Sequence, residues 1–229
     1  MNIIINGGSH GIGREVAIYL AKDPDNEIII TGRDIHAMHE MAASLPNVHP
    51  VKADLSDPDN IARNYLKNIT AVFGNTDTVI NMTGNIVKAD FLSITGNAAR
   101  KMMETNFFGP ASIIRILQPF LNRGSHVVNI SSMGGFQGSA KFRGLAYYSA
   151  SKAAIACMSE CLAEELREFD IRVNCLALGA VQTRMLSEAF PGYKAPVEAA
   201  DIAPFIADFA LKAHQFINGR VIPVAMSNP

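Results

Sequence analysis

A tyrosine and a lysine four residues apart, Tyr148 and Lys152, are the residues of this sequence best suited to acid–base chemistry. On a helix, side chains at that spacing lie on one face. The pKa of a free tyrosine is about 10, which is too high for efficient proton exchange near neutrality. Because a nearby ammonium favours the phenolate, we expect Lys152 to lower the pKa of Tyr148. The preceding Tyr147 is followed four positions on by Ser151, so only Tyr148 has a lysine at this spacing.

Such a pair also occurs by chance on a helix surface, so its meaning depends on the rest of the chain. A glycine-rich loop, Asn6-Gly-Gly-Ser-His-Gly-Ile-Gly13, joins the first predicted strand to the first predicted helix. Its glycines allow a tight turn and let backbone N–H groups approach a phosphate at the helix start. The spacing is not G-x-G-x-x-G, but the position between strand and helix favours dinucleotide binding. The candidate cofactor residues in this loop are Gly7, Ser9, His10, Gly11, Ile12 and Gly13.

An arginine and an aspartate, Arg33 and Asp34, follow about 20 residues after this loop. At that point a carboxylate binds the ribose hydroxyls of NAD, whereas an arginine accommodates the 2′-phosphate of NADP. Arg33 therefore favours NADP(H), and Asp34 keeps NAD(H) possible. A solvated turn would have the same composition.

Short apolar runs alternate with segments of helical spacing along the whole chain. This alternation predicts an α/β fold with a doubly wound parallel sheet and helices on both faces. No linker or repeat interrupts it, so we predict one domain over residues 1–229. The seven predicted strands are Ile3–Ile5, Glu27–Thr31, Val48–Lys52, Thr78–Asn81, His126–Ser131, Arg172–Leu178 and Val221–Val224. The main predicted helices are Asp34–Ser44, Ile61–Phe73, Asn97–Leu121, Tyr148–Glu168 and Glu198–Ala213.

Composition restricts the class of partner and the compartment. A net charge of -1 gives no reason to expect a nucleic-acid or membrane partner, and no apolar run is long enough to span a bilayer. No secretory signal is visible, and three cysteines without framework spacing are typical of a reducing cytoplasm. Cys157 and Cys161 lie four apart on a predicted helix without a third ligand, so we expect buried apolar residues and no metal site.

Taken together, these motifs resemble the compact, single-domain branch of the short-chain dehydrogenases/reductases over nearly the whole chain. The matching motifs keep the family's order: the Gly7/Gly11/Gly13 loop, Asp54, Asn81-Met-Thr-Gly84, Asn106, Ser132 and the Tyr148/Lys152 pair. Each is weak alone, but their joint order and spacing are specific. The resemblance implies a Rossmann fold and a nicotinamide cofactor.

The resemblance also implies catalytic roles. Tyr148 would give a proton to a carbonyl or take one from an alcohol, and Ser132, rather than Ser131, would steady the substrate oxygen. Lys152 would also hold the nicotinamide ribose, and Asn106 would complete a water relay to it. Asp54 would contact the adenine and Thr183 the carboxamide. The candidate cofactor residues outside the glycine loop are Arg33, Asp54, Leu55, Asn81, Gly84, Tyr148, Lys152, Gly179, Val181 and Thr183.

The relay has some independent support from a proline. Pro110 stands four residues after Asn106 and has no N–H, so it frees the Asn106 carbonyl to hold a water. A plain proline kink is an equally good explanation without the family context.

Several positions depart from the family pattern. Asn6 replaces a threonine, which we interpret as a tolerated polar substitution, and Leu178-Gly179 replaces Pro-Gly. The usual glycine-rich tail is replaced by Ala225-Met-Ser-Asn-Pro229. These changes affect substrate size and subunit packing more than the chemistry.

Two long loops follow strand ends, over residues 133–147 and 183–196. Loops of this length are usually functional, and their apolar residues indicate a small or medium, partly apolar substrate. We therefore predict an NADP(H)-dependent oxidoreductase acting on a carbonyl or alcohol. The alternative is an NADP-sensing regulatory protein on the same fold. A sugar-nucleotide epimerase or dehydratase would need a longer C-terminal region.

The predicted helix Tyr148–Glu168 is apolar around most of its circumference. A helix of this kind is usually buried on more than one side. The sheet and the Asn97–Leu121 helix cover only part of it. We therefore predict a homodimer or homotetramer, an assembly that the resemblance also implies.

Overall fold

The structure is a computed structural model that describes residues 1–57, 61 and 65–226. Seven strands form one sheet in which all the neighbouring strands are parallel. In chain order they are β1 Asn2–Asn6, β2 Glu27–Gly32, β3 Val48–Lys52, β4 Thr76–Asn81, β5 Leu121–Ser132, β6 Arg172–Leu178 and β9 Val221–Val224. Two short strands, β7 Val181–Gln182 and β8 Val197–Glu198, pair with each other outside this sheet. The strand order across the main sheet is β3-β2-β1-β4-β5-β6-β9.

Helices cover both faces of the sheet. They are α1 Gly11–Leu20, α2 Ile35–Ala42, α3 Leu66–Thr70, α4 Gly96–Met103, α5 Gly109–Leu117, α6 Ala146–Glu165, α7 Arg184–Ala189 and α8 Ala199–Lys212. This confirms the predicted doubly wound α/β sheet of the Rossmann type. Part of the predicted Ile61–Phe73 helix, residues 62–64, lies outside the described residues, as do residues 227–229 of the C-terminal tail.

The first strand shows why the sheet is buried on both faces. Ile3, Ile4 and Ile5 have no exposed surface. Ile3 and Ile5 point into one apolar cluster with side chains of α1, α2 and α8. Ile4 points into a second cluster with side chains of α3, α5 and α6. A strand between two helical layers therefore needs a continuous apolar run rather than an alternating one.

The predicted long helix over Asn97–Leu121 is interrupted. Between α4 and α5 the chain forms a π-helical segment, Glu104–Phe108, in which the Gly109 N–H donates to the Glu104 carbonyl five residues back. Pro110 follows directly and has no N–H to continue an α-helical ladder. Leu121 already belongs to β5, so the helix ends earlier than predicted.

The second predicted long loop contains regular structure. Helix α7 lies within residues 183–196, and the paired strands β7 and β8 flank this segment. Thr183 explains the start of α7, because its Oγ1 accepts a hydrogen bond from the Leu186 N–H at 3.2 Å. The first long loop, over residues 133–145, has only a short 3₁₀ turn, Met133–Gly135.

Helix α6 turns one apolar face outward. Ile155 and Ser159 are buried against the sheet, whereas Ala153, Cys157 and Cys161 are exposed. The expected burial of the two cysteines is therefore wrong for a single chain, because they lie on the side of α6 that faces away from the sheet. Within the part of the chain that the structure describes, no helix is both long and apolar enough to cross a membrane.

Candidate active site

The predicted site residues meet at the carboxyl-terminal edge of the sheet. Asn6 at the end of β1 is the register partner of Thr31 in β2 and of Asn81 in β4. Asn81 in turn pairs with Asn129 in β5. The loops that follow these strands begin at one edge, as is usual for ligand sites in open α/β sheets.

The glycine loop can be built only from glycines at its key positions. Gly7 has φ +92° and Gly11 φ +57°, both in the region that favours glycine. A Cβ on Gly13 would lie 2.2 Å from the Gly7 carbonyl oxygen. Gly8, which the sequence analysis did not single out, would carry its Cβ 2.8 Å from the Ile30 side chain. The Gly7 backbone therefore lies close enough to the start of α1 for this loop to bind a phosphate.

Asn6 is the centre of a buried hydrogen-bond chain, a role that the sequence analysis did not assign to it. Its Oδ1 accepts hydrogen bonds from Thr31 Oγ1 and from the Tyr65 hydroxyl, each at 2.8 Å. Its Nδ2 donates to Asn81 Oδ1 at 2.8 Å. Threonine is too short to make all three contacts, which is the physical reason for asparagine here.

The same chain continues to the helix that carries Tyr148. Asn81 Nδ2 donates to Asn129 Oδ1 at 2.8 Å, and Asn129 Nδ2 donates to Ser159 Oγ at 2.9 Å. The Asn81 side chain is therefore committed to this row of amides across the sheet. Asparagines at the ends of neighbouring strands were the signal for this chain, but its partners Tyr65 and Ser159 could not be assigned from spacing.

Lys152 is buried beneath the strand ends. Its side-chain ammonium donates to the Ile130 carbonyl at 2.9 Å and to the Thr83 carbonyl at 3.4 Å. Burial lowers the pKa of Lys152 to about 8, and the nearby Cys175 thiol opposes that shift. A Cβ on Gly84 would lie 3.9 Å from the Lys152 Nζ, so the lysine reaches the predicted cofactor loop.

The prediction that Lys152 lowers the pKa of Tyr148 is wrong for this structure. Burial raises the pKa of Tyr148, and the group that opposes this effect is Ser132, through a side-chain hydrogen bond. The reason is that the Lys152 ammonium is directed at the two backbone carbonyls. Tyr148 is therefore a protonated phenol next to a serine hydroxyl.

The two adjacent serines at the end of β5 have different surroundings. Ser132 Oγ accepts a hydrogen bond from the Gly134 N–H at 3.1 Å and lies next to Tyr148. Ser131 Oγ donates to the Lys152 carbonyl at 2.6 Å and holds α6 against the strand. The geometry therefore brings Ser132, and not Ser131, to the phenol.

Asn106 connects the loop after β4 with α6. Its Oδ1 accepts from the Asn85 N–H at 2.7 Å, and its Nδ2 donates to the Asn85 carbonyl at 2.9 Å. Nδ2 also donates to Ser151 Oγ at 2.9 Å, and Ser151 donates to the Tyr148 carbonyl at 2.7 Å. The sequence analysis missed Asn85 and Ser151, because nothing in the spacing shows that the two loops meet.

The remaining candidate cofactor residues lie around the same edge. Burial raises the pKa of Asp54, but hydrogen bonds from Ser56 outweigh it and the net pKa is lowered. Leu55 is buried, and a Cβ on Gly109 would lie 2.3 Å from its carbonyl oxygen. Arg33 is exposed at the end of β2.

The segment after β6 approaches the glycine loop from the other side. Gly179 donates its N–H to the Val224 carbonyl at 2.9 Å, and Val181 is buried in β7. A Cβ on Gly11 would lie 3.4 Å from the Thr183 methyl group. The structure therefore brings Thr183 beside the glycine loop.

Apolar side chains surround the entrance to the site. A cleft of about 750 Å³ lies between the loop that follows β4 and the first long loop, and its lining includes Asp90, Phe91, Leu92, Lys141, Phe142, Arg143, Leu145 and Ser149. From α7, the Met185 methyl group lies 3.7 Å from a Cβ position on Gly84. Lys88 Nζ lies 4.2 Å from the centroid of the Phe190 ring and links the segment around α7 to the loop after β4. Met133, an apolar residue of the first long loop, is buried, so it packs this loop against the rest of the protein.

Comparison with known proteins gives the same family that the motifs indicate. The family model for short chain dehydrogenases matches residues 1–194. The dehydrogenase/reductase SDR family member 7B of Bos taurus is 32% identical over 196 residues, which are 80% of this chain and 58% of that protein. The chain thus spans about three fifths of the length of the curated relatives that it matches at this level.

Solved structures show the same fold. A short chain dehydrogenase from Burkholderia cenocepacia in complex with NADP superposes with a TM-score of 0.87 at 23% identity, over 97% of this chain and 95% of that chain. A 3-ketoacyl-(acyl-carrier-protein) reductase from Brucella melitensis complexed with NADH has a TM-score of 0.87 at 21% identity, over 99% and 97% of the chains. With the family match over most of its length, this chain belongs to the short-chain dehydrogenases, a family of oxidoreductases.

Proposed function

We propose that residues 1–229 form one NADP(H)-dependent oxidoreductase domain that interconverts a carbonyl and an alcohol on a small or medium organic substrate. The observation that carries this proposal is the hydrogen bond between the Tyr148 phenol and Ser132, with the Lys152 ammonium buried close by. A proton donor, a second hydroxyl and a cation at the edge of a dinucleotide-type sheet are the groups that carbonyl reduction needs.

The residues fit a nicotinamide dinucleotide. The close approach of Gly7 and Gly13 leaves no room for side chains and keeps backbone N–H groups at the start of α1 available to phosphates. Arg33 would bind the 2′-phosphate of NADP(H), and Asp54 would contact the adenine. The two solved structures are complexes with NADP in one case and NADH in the other, which supports a nicotinamide dinucleotide as the class of cofactor.

A bound nicotinamide supplies or accepts the hydride, and the side chains handle the proton. In reduction, Tyr148 donates its phenolic proton to the substrate oxygen, and Ser132 donates a hydrogen bond to that oxygen. The raised pKa of Tyr148 keeps the phenol protonated near neutrality, which suits a proton donor. In oxidation, the same phenol takes the proton back.

Lys152 and Asn106 position and restore this donor. Lys152, with its pKa lowered to about 8, is still largely charged near pH 7 and would hold the nicotinamide ribose beside Tyr148. The Asn106 amide holds Ser151 and thereby the first turns of α6. Its backbone lies in the π-helical segment just before Pro110, where a carbonyl without an α-helical partner can hold a water.

The substrate and the assembly follow from the surfaces. The cleft between the loop after β4 and the first long loop combines Phe91, Leu92 and Phe142 with charged residues, which favours a partly apolar small molecule. The exposed apolar face of α6 favours a homodimer or homotetramer, and a reducing cytoplasm suits the free cysteines.

The direct test is NADPH oxidation against a broad panel of ketones and aldehydes, with NADH in parallel. Turnover that depends on substrate and on Tyr148 is the expected result. Tight NADPH binding without turnover on any carbonyl would replace the enzyme proposal with that of an NADP-sensing protein. Equal or tighter binding of NADH, unchanged in Arg33→Ala, would remove the NADP assignment.

A further inference from the structure

We propose that Tyr65 is a positioning residue for the cofactor. Through its hydrogen bond to Asn6, it holds the glycine loop in the conformation that binds a dinucleotide, and it touches neither cofactor nor substrate itself. This inference rests on the proposed function, because it concerns the affinity of the same cofactor site.

The Tyr65 side chain is completely buried between the sheet and the helical layer of α3, α5 and α6. Tyr65 directly precedes α3 and has no exposed surface. It belongs to the apolar cluster that also contains Ala53, Leu55 and Ile69. Ala53 and Leu55 flank Asp54, the residue proposed to contact the adenine. Tyr65 therefore packs in the layer that carries this part of the site.

The Tyr65 hydroxyl makes a specific hydrogen bond inside this apolar cluster. A buried hydroxyl is destabilising unless it is hydrogen-bonded. The Tyr65 hydroxyl donates to Asn6 Oδ1 at 2.8 Å. Burial raises the pKa of Tyr65, and the hydrogen bond to Asn6 opposes that shift without outweighing it. The hydroxyl is therefore a protonated donor throughout the pH range in which the protein is folded and binds a cofactor.

Asn6, the acceptor of this bond, stands immediately before the glycine loop. Its Oδ1 also accepts from Thr31 Oγ1 at 2.8 Å, so both lone pairs of this oxygen are used. Its Nδ2 donates to Asn81 Oδ1 at 2.8 Å. The residue that leads into Gly7 is thereby held by β2 and β4 and, through Tyr65, by the helical layer.

The glycine loop leaves little room for movement at this point. Gly7 has φ +92°, and a Cβ there would lie 2.9 Å from the Thr83 backbone nitrogen. The N–H groups of Gly7 and Gly8 both donate to the Thr31 carbonyl at 2.9 Å. A rotation of Asn6 would therefore displace the backbone that leads to the start of α1, where N–H groups are proposed to bind phosphates.

Tyr65 differs from the other two side-chain partners of Asn6 in its place in the fold. Thr31 and Asn81 lie in strands that the backbone ladder already pairs with β1. Tyr65 instead comes from the segment that follows Asp54. Its hydroxyl thus joins the loop proposed to bind phosphates to the segment proposed to bind adenine.

Loss of this bond should lower cofactor affinity by loosening the loop in the free protein. Without the Tyr65 hydroxyl, Asn6 Oδ1 keeps one of its two donors, and other loop conformations become populated. The apparent affinity then falls with the fraction of molecules in the binding-competent conformation. From the net free energy of one neutral hydrogen bond, we expect a loss of roughly threefold to tenfold. The loss should be the same for NADPH and NADH, because the glycine loop is proposed to bind the phosphates that both share.

The test is a double-mutant cycle measured by equilibrium titration of the full chain with NADPH and with NADH. Tyr65→Phe keeps the buried ring and removes the donor, whereas Asn6→Thr removes the acceptor, so each variant breaks the same bond from one end. We expect each to bind both cofactors less tightly, and Tyr65→Phe to cause no further loss in the Asn6→Thr background. Turnover of Tyr65→Phe at saturating NADPH should stay within about twofold of the wild type, because the acid Tyr148 is unchanged.

Ile69→Val is the matched control. Ile69 lies four residues after Tyr65, in α3, and is buried in the same cluster. The variant destabilises the same helix without removing a hydrogen bond to Asn6, so its NADPH affinity should equal that of the wild type. Hydrogen exchange of residues 7–13 in the free protein gives a second readout. Exchange should be faster in Tyr65→Phe and unchanged in Ile69→Val.

The outcomes separate this inference from the proposed function. Wild-type affinity and exchange in Tyr65→Phe, or equal losses in Tyr65→Phe and Ile69→Val, would overturn the inference and leave the proposed cofactor intact. Additive losses of affinity in Tyr65→Phe and Asn6→Thr would also overturn it, because Tyr65 would then not act through Asn6. If the wild type binds neither NADPH nor NADH, the proposed function fails along with the inference.

Discussion

The amide of Asn6 donates to the amide oxygen of Asn81 across 2.8 Å, and both side chains are almost completely buried at the carboxyl-terminal edge of the sheet. Asn6 also accepts a hydrogen bond from the Tyr65 hydroxyl, and Asn81 donates one to the Asn129 side chain. The relationship ties the strand before the glycine loop to the strands before Gly84 and Ser132. The loops that follow β1, β4 and β5 are thereby held by one row of buried asparagine side chains.

This row makes a prediction about stability. Asn129→Ala leaves the Asn81 amide and the Ser159 hydroxyl without the hydrogen bonds that they make to Asn129 in a buried site. Each such group costs about 1–3 kcal/mol, so we expect the free energy of unfolding to fall by at least that amount. Urea unfolding measures it. The exposed Asn97 is the control, because Asn97→Ala should stay within about 0.5 kcal/mol of the wild type.

The sequence predicts the sheet well because burial on both faces forces runs such as Ile3–Ile5. It also predicts the tight glycine loop, because Gly7 and Gly11 adopt a positive φ and Gly13 leaves no room for a Cβ. It does not predict the direction in which the Lys152 ammonium points. That direction depends on the Ile130 and Thr83 carbonyls, which come from other parts of the chain.

Tertiary packing accounts for the other differences between the sequence-based predictions and the structure. Burial decides the pKa of Tyr148, and sequence spacing contains no information about burial. The exposed position of Cys157 follows from which side of α6 the sheet covers. Asn85 and Ser151 join the site only because Asn106 reaches both of them.

The glycine loop predicts a sharp difference between two alanine substitutions. Gly13→Ala places a Cβ 2.2 Å from the Gly7 carbonyl, so the loop must open and cofactor affinity should fall at least about 100-fold or the fold should be lost. Gly74→Ala is the control, since no atom lies within 4 Å of its Cβ position. NADPH titration and thermal unfolding together check both. Normal NADPH affinity in Gly13→Ala would contradict the proposed phosphate-binding loop.

A buried histidine predicts how stability depends on pH. Burial lowers the pKa of His126 to about 4, and its Nδ1 donates to the Ala210 carbonyl at 2.8 Å while Nε2 accepts from Asn174 at 2.9 Å. In the unfolded chain a histidine has a pKa of about 6.5. The folded state therefore binds fewer protons, and this stability is fully present above pH about 6.5 and lost as pH falls towards 4.

The expected loss is about 3 kcal/mol at most, from a shift of that size. Urea unfolding at pH 7 and pH 4.5 measures it in the wild type and in His126→Asn. The decrease should be smaller in the variant, because it lacks the titrating group. The exposed His36→Gln variant should lose as much free energy of unfolding between pH 7 and pH 4.5 as the wild type. An equal decrease in all three proteins would show that His126 is not responsible.

The exposed face of α6 predicts an assembly. Ala153, Ala154 and Cys157 give this face small side chains that permit close approach of another helix. We expect light scattering at micromolar concentration to give a mass above 24.7 kDa, the mass of one chain. Ala154→Arg should dissociate the oligomer, whereas Ala43→Arg, exposed beyond α2 on the opposite face, should not. A mass of one chain for the wild type would refute the prediction.

The chemical step predicts a difference between two neighbouring tyrosines. Tyr148→Phe removes the proton donor and keeps the ring, so turnover should fall by about 10²–10⁴-fold while NADPH binding stays within a few-fold of the wild type. Tyr147 instead stacks on Phe91 with ring centroids 5.7 Å apart, and Tyr147→Phe keeps that contact. Its turnover should therefore remain close to normal. Steady-state kinetics with the best carbonyl of the panel, combined with NADPH titration, check both variants. Near-normal turnover of Tyr148→Phe would exclude the phenol as proton donor, and an equal loss in both variants would indicate damage to the start of α6 rather than loss of the acid.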